Sequence, residues 1–388
     1  MTAGSTRAGA RETIPTQRGG ESRAVPTPSP ATPRGDGQVR AFVVTGPGQH
    51  ALRHLDRPKA GHGEVLIAPA VVGLCGSDLE LLDGRRPERY VNYPAIPGHE
   101  WAGHVVDYGP DVTGLSRGVG VVAEGIRSCG GCPRCAEGRN NLCTRQYAET
   151  GFTHPGALAD LLVVPSSLVH PLPEHRSISV AAMLEPAACV AGGLLDVGMP
   201  RVGSRIAVVG DGPVGLLAVS LLRLTSPREL LLVGATPHRI AFGPAMGASS
   251  TLLVSDSSSN GLKDLYGSFD YVVECTNSVT GAAEAVNLVR RAGTILLVGI
   301  SGSGTPTISP DAISLGSLRV QGVFGATREA WQWLLTLYGS GLFDPSELIT
   351  HRFDLDHVAD AFAVLGDPAA GAVKVVVEPR TNHGDLPF

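Results

Sequence analysis

Six short apolar runs that alternate with helical segments occupy the second half of the sequence, and they constrain its fold more than any other feature. Each run has the length of a buried strand, whereas the segments between the runs carry the wider apolar spacing of helices. Strands and helices that alternate in this way form a parallel sheet with helices on both faces. We therefore predict a doubly wound α/β domain over residues 188–325, with strands at 205–209, 229–233, 250–254, 271–274, 294–298 and 318–324.

A glycine-rich turn, GDGPVG at 210–215, directly follows the first of these strands and leads into an apolar helix. Gly210 permits a tight turn, Gly212 lets the backbone approach a pyrophosphate, and Gly215 allows the helix to pack closely on the strand. The pattern alone also occurs in loops that bind nothing, but the order of strand, turn and helix is the context that dinucleotide binding requires. We predict that Gly210, Gly212, Pro213, Val214 and Gly215 bind a dinucleotide of the NAD or NADP type.

The end of the second predicted strand bears on the choice between NAD and NADP. NAD-binding domains usually place Asp or Glu there, about 20 residues after the turn, to bind the ribose hydroxyls. This chain has Gly234 at that place and Arg239 shortly after it. The missing carboxylate removes repulsion toward a 2′-phosphate, and an arginine can bind that phosphate in a bidentate manner. These residues favour NADP, with NAD as the alternative, because a solvated helical arginine at this place also occurs in NAD-dependent proteins.

The length of 388 residues predicts two domains, and the residues outside the α/β domain differ in pattern. Between residues 39 and 187, short β-like runs broken by Gly and Pro indicate a mostly β, barrel-like domain. Residues 326–388 contain no further strand–helix–strand unit, so we expect them to return to that first domain. Residues 1–38 lack apolar periodicity and are rich in Thr, Pro, Gly, Arg and Ser, which predicts a disordered tail. A basic targeting or partner-binding arm is the alternative for this tail.

Four of the seven cysteines stand close together, in the run CGGCPRCAEGRNNLC. Thiolates with this spacing on a glycine-containing loop can converge on a tetrahedral Zn²⁺ at about 2.3 Å each. Because four thiolates leave no position open for a substrate, the site is predicted to be structural. Two disulfides, free thiols and an iron–sulfur cluster are the alternatives. The predicted ligands are Cys129, Cys132, Cys135 and Cys143.

A second set of metal-binding side chains is spread along the chain. Cys75 lies in GLCGSDLE, His99 and Glu100 in PGHEWAG, and Glu185 in MLEPAACV. None of these stretches is a metal signature alone, and an isolated Cys or His is more often a core residue. Together, however, a thiolate, an imidazole and a carboxylate supply three ligands for Zn²⁺ and leave a fourth position for water or a substrate. This is the composition of a catalytic zinc site.

These motifs, in this order, resemble the zinc-dependent medium-chain dehydrogenase/reductase family of the alcohol dehydrogenase superfamily. The resemblance rests on GLCGSD, PGHE, the cysteine run, the dipeptide Glu185-Pro186 and GDGPVG, and it covers about residues 40–377. The dipeptide is similar to that of the sorbitol and threonine dehydrogenase branch. The resemblance implies a GroES-like first domain with Cys75, His99 and Glu185 as zinc ligands. It also implies that Glu100 is either an exchangeable fourth ligand or a residue that supports the ligands.

The same resemblance implies a catalytic role for Ser77, two residues after Cys75. A hydroxyl at this place passes the substrate proton toward solvent in the family, and a serine can accept and donate in one chain of hydrogen bonds. Members of this branch often have His three residues later, whereas this chain has Glu80. The departure leaves the outer end of the proton path open, and with it the substrate class.

The resemblance further implies an enzyme with two zinc ions per chain that transfers hydride between NAD or NADP and a secondary alcohol or ketone. The expected substrate is a polyol, sugar, cyclitol or amino alcohol, and the expected assembly is a homodimer or homotetramer. An NADPH-dependent carbonyl reductase of a biosynthetic pathway is one alternative. A relative that has lost catalysis is another, although Cys75, His99, Glu185 and Ser77 are all present.

Composition narrows the partners and the compartment. There are 31 basic and 36 acidic residues, which gives a formal net charge of −5, so no nucleic-acid partner is expected. We find no run of 18 apolar residues and no apolar segment after the first charges, so neither a membrane span nor a secretory signal is expected. Outside the cysteine run the thiols are isolated, which favours a reducing, cytoplasmic compartment over a disulfide framework.

Overall fold

The computed structural model describes residues 37–254, 259–302 and 304–379 of the chain. The predicted tail, residues 1–38, therefore lies outside the described residues except for its last two positions. The first part of the described chain is mostly β, as the sequence predicts. Its strands are β1 (Gln38–Gly46), β2 (Gln49–Asp56), β3 (Glu64–Gly73), β4 (Glu100–Tyr108), β5 (Gly120–Ala123), β6 (Leu162–Pro165) and β7 (Val169–Pro171).

Strand β3 is the centre of this part. It pairs antiparallel with β4 and β6, β4 continues through β5 to β7, and β1 and β2 form a separate antiparallel ribbon. Side chains on a strand alternate between its two faces. Accordingly, Val65 and Ile67 enter one apolar core while Leu66 and Ala68 enter another. Both faces of β3 are covered, which explains why its sequence is almost continuously apolar.

Three helices accompany these strands: α1 (Gly76–Leu82), α2 (Pro133–Ala136) and α3 (Leu184–Val197). Among the described residues one helical stretch, Ile178–Val197, is long and apolar enough to cross a membrane, but 72% of its apolar window is buried inside the protein. Most of this stretch is α3, which is a core helix. Its residues share one cluster with Val122 of the first sheet and Val208 of the second, so α3 packs between the two sheets.

The second sheet has six parallel strands, as predicted, in the order β10-β9-β8-β11-β12-β13. Its elements are β8 (Arg205–Val209), α4 (Pro213–Leu222), β9 (Glu229–Gly234), α5 (Pro237–Ile240), α6 (Gly243–Met246), β10 (Ser250–Leu253), α7 (Ser259–Lys263), β11 (Phe269–Glu274), α8 (Gly281–Leu288), β12 (Val289–Leu297), α9 (Pro310–Gly316) and β13 (Arg319–Gly322). The first strand, β8, lies between β9 and β11, so the strand order reverses there. A crevice at the carboxyl ends of the strands is expected at such a point.

The last described segment contributes to both parts. Its elements are α10 (Arg328–Gly339), β14 (Ile349–Asp354), α11 (Val358–Gly366) and β15 (Lys374–Glu378). Strand β15 pairs antiparallel with the end of β3, and β14 extends the same sheet. Helix α10 buries Trp331, Leu334 and Tyr338 in the cluster that contains α3. The segment therefore brings residues from the end of the chain next to the end of β3.

Candidate active site

The four thiols of the cysteine run converge in the lobe that follows β5. The sulfur of Cys132 lies 3.5 Å from that of Cys135 and 3.9 Å from that of Cys143, and the sulfurs of Cys129 and Cys135 are 4.0 Å apart. Four sulfurs bound tetrahedrally to Zn²⁺ at about 2.3 Å lie roughly 3.8 Å from one another. Backbone N–H groups, that of Thr144 first, lower the pKa of the Cys132 thiol to about 5. Burial and the neighbouring thiol of Cys132 raise the pKa of Cys135 to about 11, so a low pKa is not shared by all four thiols. The spacing of the four sulfurs is what fits a structural zinc ion.

A second cluster forms where β3 ends and β4 begins. The antiparallel register pairs Gly73 with Glu100, so Cys75, two residues beyond the end of β3, meets His99. The ligand atoms of Cys75, His99 and Glu100 all lie within 4.8 Å of one another. The backbone N–H of Cys75 also donates to the Asp78 carboxylate at 2.9 Å, which anchors the start of α1.

Two buried atoms of this cluster have no hydrogen-bond partner among the described residues: His99 Nδ1 and Asp78 Oδ1, which lie 3.4 Å apart. Because the two atoms face each other, the Asp78 carboxylate can orient the imidazole of His99 and leave its other ring nitrogen for a metal ion. Burial alone would lower the pKa of His99, but the carboxylate of Asp78 and the thiol of Cys75 raise it well above its usual value. The surroundings therefore stabilise positive charge at this point, which fits a bound Zn²⁺.

Glu100 forms a buried ion pair with Lys374, the first residue of β15. Burial would lower the pKa of Lys374, but Glu100 and Cys75 hold it above its usual value. A Cβ at Gly73 would lie 2.9 Å from the Lys374 side chain, so a glycine is needed beside this pair. Glu100 is thus held by a lysine while its carboxylate stays close to the ligand atoms of Cys75 and His99, so both roles that the resemblance left open stay predictions.

Glu185, in the first turn of α3, lies beside the cluster but outside the group of atoms within 4.8 Å. Its Oε1 is 3.8 Å from the sulfur of Cys189, one helical turn later. Burial raises the pKa of Glu185 to about 7, with His99 opposing the shift and the Glu100 carboxylate adding to it. The structure thus brings Cys75, His99 and Glu100 together and places Glu185 as a buried neighbour, so its role as a ligand stays a prediction.

A half-buried arginine and a half-buried carboxylate stand beside this cluster, and no feature of the sequence predicted them. Arg86 donates from Nη2 to Glu149 at 3.2 Å and to the hydroxyl of Tyr147 at 3.0 Å. Its guanidinium lies 3.5 Å above the ring of Phe152, and that ring is 4.8 Å from the ring of His99. Burial raises the pKa of Glu149, while His99 and Arg86 oppose the shift. Because Glu149 lies in an irregular loop, no periodicity or motif signalled it.

The glycine turn has the geometry that its sequence predicts. Gly210 has a φ of +120°, and a Cβ there would lie 2.9 Å from the backbone that follows β11. Gly215 packs on the carbonyl of Gly210, which leaves no room for a side chain. Gly212 is the N-cap of α4, followed by Pro213 and Val214 in its first turn, and a Cβ at Gly212 would meet nothing within 4 Å. This open helix N-terminus suits a pyrophosphate.

The two residues on which the preference for NADP rests lie at the end of β9 and in α5, close to the glycine turn. Gly234 ends β9, and Arg239 in α5 donates from Nε to the carbonyl of Ala372 at 3.0 Å. Asp211, inside the glycine turn, reaches across and accepts a hydrogen bond from the backbone N–H of Thr236 at 2.6 Å. The preference for NADP stays a prediction on this evidence.

Comparison with known proteins agrees with this geometry. The alcohol dehydrogenase GroES-like domain family matches residues 61–174, and the zinc-binding dehydrogenase family matches residues 213–340. The chain belongs to the zinc-containing medium-chain alcohol dehydrogenase superfamily. It is a zinc-dependent, NAD(P)-dependent enzyme of that family, as the motifs of the sequence predict.

Relatives of this dehydrogenase cover nearly all of the described chain. L-threonine 3-dehydrogenase of Alteromonas mediterranea is 28% identical over 327 residues, which are 83% of this chain and 94% of that protein. A zinc-binding dehydrogenase of Sinorhizobium meliloti bound to NADP is 28% identical, with a TM-score of 0.81 over 88% of this chain and 99% of that one. An alcohol dehydrogenase of Escherichia coli complexed with NADH is 26% identical, with a TM-score of 0.80 and the same coverage.

In this dehydrogenase Ser77 is half-buried in the first turn of α1, two residues after Cys75. Glu80 lies one turn later on the same side of the helix, and its Oε1 is 4.0 Å from Nη1 of Arg85. The place where this branch often has His therefore carries a carboxylate with an arginine beside it. Compartment and oligomeric state stay predictions.

Proposed function

We propose that this dehydrogenase oxidises a secondary alcohol whose molecule carries further polar groups, as in a polyol, sugar, cyclitol or amino alcohol. The observation that carries the proposal is the pair of Arg86 and Glu149 beside Phe152 and His99. Charged groups at this place can hydrogen-bond a second hydroxyl or an ammonium of the substrate. A site built in this way discriminates strongly against an analogue that lacks the polar group.

In the reaction that we propose, different side chains have different roles. Cys75, His99 and Glu185 would hold the zinc ion, while Lys374 forms an ion pair with Glu100 beside them. When bound, Zn²⁺ supplies Lewis acidity that lowers the pKa of the substrate hydroxyl. The alcohol loses a proton from oxygen and a hydride from carbon and becomes the ketone, while NAD(P)⁺ becomes NAD(P)H. Ser77 accepts the proton and passes it outward.

The test is a screen of polyols, cyclitols and amino alcohols against 2-butanol, with NAD and NADP, in both directions, and with zinc measured on the same sample. We expect two zinc ions per chain and a higher kcat/KM for the polar substrates. Rates in the two directions separate a dehydrogenase from a dedicated carbonyl reductase. Equal kcat/KM for 2-butanol and for every polar substrate would contradict the proposal.

The variant Glu149→Gln tests the residue that carries the argument. It should lower kcat/KM for the best polar substrate by about tenfold or more, mainly through KM, and leave 2-butanol unaffected. The matched control is Glu137→Gln, which removes an exposed carboxylate from an ion pair with Arg134 in the cysteine lobe. If Glu149→Gln changes both substrates equally, the pair stabilises the fold and does not select the substrate.

A further inference from the structure

We infer that Asp211 supplies the carboxylate that faces the adenosine ribose of the cofactor, and that this dehydrogenase therefore prefers NAD to NADP. The inference rests on the proposed function only in that a nicotinamide dinucleotide binds at the glycine turn. It runs against the preference that the sequence predicted from Gly234 and Arg239, and it names the specificity-determining residue.

The hydrogen bond of Asp211 is the first argument. An Asp at the end of the second strand commonly bonds the backbone N–H two residues further along. For position 234 that group is the N–H of Thr236, and Asp211 Oδ2 already accepts it at 2.6 Å. Asp211 of the glycine turn thus supplies, at the end of β9, the carboxylate that β9 itself lacks.

The space around Gly234 is the second argument. A Cβ at Gly234 would lie 2.5 Å from Asp211 Oδ2, 2.6 Å from its Cβ and 2.7 Å from its Cγ. A side chain at position 234 and the side chain of Asp211 therefore exclude each other. Gly234 makes room for an acid from the turn, so its lack of a carboxylate is not by itself an adaptation to a 2′-phosphate.

The charge balance is the third argument. Among the described residues no Lys, Arg or His forms an ion pair with Asp211, and its Oδ1 accepts no hydrogen bond. Arg239, the one arginine in α5, uses its Nε to bond the Ala372 carbonyl. A 2′-phosphate arriving beside Asp211 would face an unneutralised carboxylate, whereas a ribose hydroxyl can donate to it. Like charges in contact disfavour the wrong ligand strongly.

Titration of the full-length protein with NADH and NADPH, followed by nucleotide fluorescence, tests the inference without alcohol turnover. We expect the Kd of NADH to be lower than that of NADPH by about tenfold or more. Asp211→Asn keeps the size of the side chain and an acceptor for Thr236 but removes the charge, so it should reduce this ratio by about tenfold. Glu229→Gln, which removes a carboxylate at the other end of β9, should leave the ratio unchanged, and so should Arg239→Ala.

Equal or tighter binding of NADPH by the wild type would overturn the inference, and so would an unchanged ratio in Asp211→Asn. A selective loss of NADPH affinity in Arg239→Ala would overturn it in favour of the preference predicted from the sequence. A protein that binds neither nucleotide contradicts the proposed function as well. A protein that binds both without discrimination contradicts this inference alone.

Discussion

At the scale of single residues, a buried ion pair supports the metal-binding cluster. The side chains of Glu100 and Lys374 are 2% and 3% exposed. Removing two charges from water is costly, and the cost is offset only while both partners are present. Burial opposes the charge on Lys374, yet its pKa is raised because Glu100 and Cys75 lie beside it. Either partner alone would therefore be a source of instability next to the catalytic site.

The substitution Lys374→Met tests this pair. It leaves Glu100 as an uncompensated buried charge, so we expect the free energy of unfolding in urea to fall by about 3–5 kcal/mol. The double variant Lys374→Met/Glu100→Gln should recover most of this loss. Arg352→Met, which breaks an exposed ion pair with Glu378 on the neighbouring strands, should cost at most about 1 kcal/mol. A single Lys374→Met variant as stable as its control would contradict the argument.

At the scale of elements, the cysteine lobe contains little regular secondary structure. Its helix α2 has four residues, far fewer than an isolated helix needs to be stable. Of its four cysteines, Cys129 is exposed, Cys135 and Cys143 are half-buried, and Cys132 is buried. We therefore expect the lobe to depend on a bound metal ion, because structural zinc sites of this kind contribute directly to folding.

The substitution Cys135→Ser should lower the zinc content by about one ion per chain, because the three remaining thiols no longer close the coordination sphere. Metal analysis together with the midpoint of thermal unfolding would measure both consequences, and we expect the midpoint to fall. Cys275→Ala, outside both metal-binding groups, is the control and should retain the wild-type zinc content. Full zinc occupancy in Cys135→Ser would exclude this lobe as a zinc site.

At the scale of the whole molecule, one carboxylate connects three parts of the chain. Glu124, 3% exposed, accepts hydrogen bonds from Asn140 in the cysteine lobe at 2.5 Å and from Arg328 at the start of α10 at 2.9 Å, and it lies 3.1 Å from Nε2 of His170 in β7. Helix α10 in turn packs on α3, whose first turn carries Glu185. The position of the lobe is therefore coupled to the core between the two sheets.

The substitution Glu124→Ala leaves these three partners without their acceptor, so we expect unfolding to become easier by about 2–3 kcal/mol. Zinc content should stay at the wild-type level, because no ligand is removed. The control Arg139→Met breaks the exposed ion pair between the lobe and Asp196 of α3 and should change stability by at most about 1 kcal/mol. Equal effects of the two substitutions in urea unfolding would refute a special role for Glu124.

Much of this architecture could be predicted because its signals are local. The six strands of the second sheet follow from apolar runs, and the cysteine lobe follows from ligands that lie within 15 consecutive residues. Glu149 could not be found in this way, because it lies in a loop and only the folded structure places it beside Arg86 and His99. Cys75, His99 and Glu185 are far apart in the sequence, and only the resemblance to a family assigned them to one predicted site.

The sequence by itself determined the two sheets, the glycine turn and the thiols of the lobe, because apolar periodicity and short ligand spacing act over neighbouring residues. Only the tertiary structure decided which distant charges meet. Lys374 reaches Glu100 across 274 positions of the chain, and Asp211 takes the place at the end of β9 that the sequence left empty at Gly234. Such contacts depend on how strands and helices pack, and burial gives them their energetic weight.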